Sequence, residues 1–161
     1  MISGLSATRA TGAGVNNTAT LALLAEIYLR QSRFGEGLAA LEDALKLALT
    51  HGELFWQAEL LRLKGELLLG QSDQLVSTAE QCFCEALAIA RNQHAKMLEL
   101  RAATSLAKLW QKRRQLDDAK KVLKSVYSAF TEGFETPDMI EAKKLLDQLD
   151  ECSMTDRSSR L

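Results

Sequence analysis

The sequence is poor in almost everything that stops a helix or builds a sheet. It has one proline and nine glycines in 161 residues, so few positions oblige a helix to end. Runs of Val, Ile, Thr and aromatic residues are missing, which excludes a strand-rich fold. Cysteine is scarce and odd in number, at three. Cys82 and Cys84 stand two apart in a helical pattern and point to different faces, so neither a disulfide framework nor a metal site is expected. The two histidines, His51 and His94, lie far apart in turns between hairpins, without a clustered carboxylate or cysteine, and give no basis for metal or general-base chemistry. No stretch approaches the roughly 18 apolar residues a membrane span needs. The opening MISGLSATRATGAG has neither the basic start nor the apolar core of a signal peptide. These shortages together predict a reduced, cytoplasmic, membrane-free protein.

What remains is the composition of helices. Leu, Ala, Glu, Lys and Gln dominate, with 47% hydrophobic and 25% charged residues, and an all-α chain is expected. Residues 1–16 read as a flexible leader. Asn17 or Thr18 caps a first helix to about Gln31, and SRFGEG turns the chain into a second, from about Glu36 to Thr50. His51-Gly52 ends it, with glycine in the left-handed slot. Further helices are expected at about Glu53–Leu69, Thr78–Asn92, Ala95–Arg113 and Asp117–Thr131. EGFETPDM then supplies Thr136 as cap, Pro137 at the first helical position and acidic Asp138 and Glu141 in the first turn of a helix to about 150. Residues 151–161 read as a disordered tail.

Net charge is −1, which makes no global case for nucleic acid, but the charge is unevenly placed. Residues 94–124 hold nine basic and three acidic side chains, a net of +6; residues 132–151 hold two basic and seven acidic, a net of −5. The simplest use of such a dipole is pairing of one half with the other, within a chain or between chains.

Small and large apolar residues alternate with a period near 41. Ala25 is followed by Tyr28, Gly65 by Leu68 and Ala107 by Trp110, while Ala79 and Ala119 open the second helix of later hairpins. Antiparallel helices come close only where one presents a small residue, and the large residue a turn later fills the space beside it. The pattern resembles the tetratricopeptide (TPR) repeat over about 17–130, with a longer period, Gly37 in place of an alanine and no proline closing a unit. The stretches AELLRLKGELLL, LRAATSLAKLW and FTEGFETPDM are also similar to the C-terminal TPR-type module of bacterial AAA/STAND-type ATPases and adenylate-cyclase-like regulators. The resemblance implies an α-solenoid of three hairpins (about 17–50, 53–92 and 95–131) closed by a capping helix at 137–150. It implies a sensor or scaffold rather than a catalyst.

Chemical motifs are few. TGAGVNN at 11–17 lacks the lysine and the preceding strand of a phosphate loop, and no cofactor, metal or catalytic residue is expected. In a stack of this kind the first helix of each hairpin lines an inner groove. Its inward residues would be Glu26 and Arg30, then Glu59, Arg62 and Glu66, then Arg101, Thr104, Lys108 and Lys112. That acidic-to-basic wall suits a peptide or protein segment of complementary charge. Two other readings stay open: a nucleic-acid accessory module using Lys112, Arg113, Arg114, Lys120, Lys121 and Lys124, and a self-associating unit, a homo-oligomer built through exposed hairpin ends.

Overall fold

Helix follows helix in the computed structural model, which describes residues 15–158, with side chains for 18–152. Among the described residues there is no strand. The α-helices are α1 (Val15–Arg30), α2 (Phe34–His51), α3 (Gln57–Gln71), α4 (Val76–Asn92), α5 (Lys96–Lys112), α6 (Leu116–Tyr127) and α7 (Pro137–Ser158). Short 3-10 turns, Leu54–Trp56 and Asp73–Leu75, lead into α3 and α4. The all-α expectation holds, and α7 opens on Pro137 as its fixed φ predicts.

Several boundaries differ from expectation. α1 begins before Asn17, so Thr18 is a buried helical residue rather than a cap. Of the expected leader, residues 1–14, with most of TGAGVNN, lie outside the described residues, and Val15 and Asn16 belong to α1. α6 ends at Tyr127, not near Thr131. α7 continues to Ser158 instead of stopping at 150, because DECSMTDRS contains no glycine or proline to break it.

Three inter-helix turns share one backbone solution. Ser32, His94 and Arg114 take φ of 57°, 54° and 62°, the left-handed region usually left to glycine. In each case the next amide reaches back five residues, Arg33 to Tyr28, Ala95 to Ala90 and Gln115 to Trp110, all at 2.9 Å. This is a Schellman closure, which satisfies carbonyls orphaned at the helix end. Gly52, at φ 69°, ends α2 the same way, with the Glu53 amide donating to Ala48 O. Ser32 and Arg114 are 82 residues apart, two periods of 41, so the repeat spacing reappears in the turns.

The described residues divide into two compact units, with the boundary between Ala86 and Leu87, inside α4. In the first unit α1 packs on α2, α2 on α3 and α1 on α3. Leu21, Ala22, Ala25, Leu41, Ala44, Ala48, Leu60, Leu63 and Leu67 form its core. Glycines set the closest approaches. A β-carbon on Gly37 of α2 would lie 2.6 Å from a Leu67 methyl, and one on Gly65 of α3 would lie 2.5 Å from Phe83 Cε1. Phe34 closes over Gly70 in the same manner. The helices can therefore nest only because these positions carry no side chain.

The second unit repeats the arrangement with α5, α6 and α7: α5 on α6, α6 on α7 and α5 on α7. Ala107 and Ala119 are fully buried, as the small-residue pattern requires, along with Leu106, Leu123, Met139, Ala142 and Leu149. Trp110, expected as a hairpin plug, is only half-buried. It sits in the last turn of α5, at the rim of the packed region.

Candidate functional site

The charged face of the first unit is built on α3. Glu59, Arg62 and Glu66 are spaced three and four apart, which sets them on one side of the helix. Arg62 Nε donates to Glu59 Oε2 at 3.0 Å and Nη2 donates to Oε1 at 2.7 Å, a forked pair. Arg62 Nη1 lies 3.7 Å from Glu66 Oε1. The Arg62 and Glu59 side chains keep only 15% and 7% of their exposure, while Glu66 keeps 28%. Burial works against the guanidinium charge, but the Glu59 hydrogen bond and the fields of Glu59, Glu66 and Glu26 outweigh it and raise the Arg62 pKa. Glu26 belongs to α1, so α1 and α3 share one electrostatic surface. Arg30 extends it, its Nη2 donating to Glu26 Oε1 at 2.8 Å. The structure thus brings together the five residues expected on the inner wall of this unit.

In the second unit the expected groove residues find partners of their own. Arg101 Nε sits 3.1 Å from both carboxylate oxygens of Asp138. Lys108 pairs with Glu141. Both acids belong to α7, which lies against α5. Thr104 is buried, and its hydroxyl donates to Leu100 O at 2.8 Å. Lys112 remains exposed at the end of α5. α7 also reaches α6, where Asp150 pairs with Lys120. The Lys120 hydrogen bond holds the Asp150 carboxyl below its ordinary range, with Lys124 and Lys143 adding to the effect. The +6 and −5 segments therefore meet within the chain, and the 112–124 basic cluster has an acidic neighbour.

Two polar groupings escape a reading of the residues alone. Glu99 is buried, takes a 2.8 Å bond from Arg91 Nε across the α4–α5 turn, and has Lys96 Nζ at 3.8 Å. Arg33 pairs with Glu36 and places its guanidinium 4.7 Å from the centre of the Tyr28 ring. The Lys96/Glu99 and Arg33/Glu36 spacings of three are the only local signals for either. Both groupings straddle left-handed turns, at His94 and Ser32.

Reactive side chains are quiet. Burial pushes the Cys82 and Cys84 thiols up, away from the thiolate. His51, at the last position of α2, and His94, in the turn before α5, are both exposed. Among the described residues no group of three His, Cys, Asp or Glu side chains could hold a metal ion, and no helix is long and apolar enough to cross a membrane. No protein-family model, curated protein or solved structure matches the chain.

Proposed function

We propose that this protein is a non-catalytic, TPR-like interaction module. Its place would be in the cytoplasm, in a regulatory assembly of the bacterial signalling ATPase or cyclase-like kind that its sequence resembles. It would act by holding a peptide or protein segment on the charged face of its first helices.

The observation that carries this reading is the ion array of α1 and α3. Glu26, Glu59 and Glu66 set three carboxylates against the two guanidinium groups of Arg30 and Arg62, a local net of −1. Arg62 and Glu59 are desolvated and locked, whereas Glu66 and Glu26 keep contact with water. A fixed array with a wet acidic edge can exchange solvent for the cation of an incoming segment at low ordering cost. It favours ligands bearing Lys or Arg. In the second unit Arg101 and Lys108 are engaged by α7, so they offer a ligand less charge than the sequence suggests.

The test is a peptide array of matched basic and acidic sequences read against the full chain. Basic peptides should be retained, retention should fall with salt, and Glu26→Gln with Glu66→Gln should weaken it. Retention indifferent to both carboxylates, or a preference for acidic peptides, would remove the proposal.

A further inference from the structure

The repeat register gives a direct comparison between α1 and α3. With Ala25 aligned on Gly65, Leu23 corresponds to Leu63 and Ile27 to Leu67. On α3 these two leucines are 2% and 0% exposed. They belong to the core formed with α1 and α2, and Leu67 occupies the notch at Gly37 of α2. On α1 the same two positions, one helical turn apart, are 62% and 42% exposed. A repeat face that no neighbouring repeat covers is normally polar. Here it keeps the apolar residues that, one repeat later, are used to receive a helix.

From this we infer that the Leu23/Ile27 stripe of α1 is a seat for a helix of α2 character contributed by a different polypeptide segment. The occupant is an amphipathic helix with a small residue where α2 has Gly37, a leucine where it has Leu41, and alanines where it has Ala44 and Ala48. The seat continues the internal α2–α3 interface outward by one repeat. A second copy of this chain is the poorer occupant. Its α2 already has α1 and α3 against it, and α6 already has α5 and α7. The inference does not depend on the charged face of α1 and α3, since Leu23 and Ile27 contribute nothing to that ion array.

A synthetic peptide with the α2 sequence, residues 34–51, supplies the probe. A hydrocarbon staple between positions 42 and 46, both exposed in α2, would hold it helical. Labelled and titrated with the full chain, it should bind saturably. Leu23→Glu or Ile27→Lys in the protein should weaken binding by at least about tenfold, as loss of a buried anchor does. Leu41→Asp in the peptide should do the same. Because Leu23 and Ile27 are exposed, both protein variants should keep the parent circular dichroism and melting temperature, so a lost signal reports the seat and not the fold. Failure to bind, or binding indifferent to these variants, would overturn the assignment. So would a concentration-dependent dimer in sedimentation that Leu23→Glu dissolves, which would give the stripe to a second copy.

Discussion

Phe83 closes over Gly65 so tightly that a β-carbon on that glycine would fall 2.5 Å from Cε1 of the ring. Phe83 is fully buried and cannot swing aside cheaply. Gly65→Ala should therefore lower stability by about 1–3 kcal/mol through overpacking, offset by at most about 1 kcal/mol of helix propensity. Gly35→Ala is the control, because nothing lies within 4 Å of that site; it should be neutral or stabilising. Urea denaturation of the two variants measures both. Equal effects would mean the notch carries no strain.

Ser32, His94 and Arg114 hold left-handed conformations that cost an L-residue about 1–2 kcal/mol. Glycine removes that cost but loses more chain entropy on folding. Ser32→Gly, His94→Gly and Arg114→Gly should each stabilise by roughly 0.5–1 kcal/mol. Gly52→Ala, at φ 69°, should move the other way by about 1 kcal/mol. Melting curves of the four variants would show whether the signs divide as stated.

The α5–α7 contact is open to a charge-swap cycle. Lys108→Glu should destabilise slightly, by less than about 1 kcal/mol for so exposed a pair. Adding Glu141→Lys should recover most of the loss. A double variant no better than the single one would mean that the two side chains do not meet in solution.

Acid should act partly through Asp150. Its folded-state pKa lies below the ordinary value because Lys120 bonds the charged carboxylate. The unfolded chain thus takes up the proton first as pH falls. The stabilisation is complete above about pH 4 and disappears as pH drops through the folded value. Glu36, held down by Arg33, carries the same sign. Urea midpoints measured down the acid limb should fall less steeply for Asp150→Asn than for the parent.

Much of this fold could be read from residue size alone. Ala25, Gly65, Ala79, Ala107 and Ala119 are all buried, because notches between helices leave a spacing that survives in sequence. Gly52 and Pro137 were legible for a similar reason, each having one backbone conformation to which it is suited. The turns at Ser32, His94 and Arg114 were not, since ordinary L-residues there announce no positive φ. Gly70 looks like part of a connector until Phe34 is seen against it. For the charged face, spacing placed Glu59, Arg62 and Glu66 together. Regional charge pointed to pairing of the basic and acidic segments, within a chain or between chains, but composition cannot say which of the two, nor which cation meets which acid. That pairing is settled by where α7 lies on α5, a matter of packing between distant segments.

The uneven handling of charge in the two units sets a length scale. Within the first unit the ion array spans two neighbouring helices, each about 10 Å wide. An extended backbone advances about 3.3 Å per residue, so a strand laid across that pair covers roughly six residues before it runs out of matching groups. Any tenant recognised there would be a short linear motif rather than a folded domain.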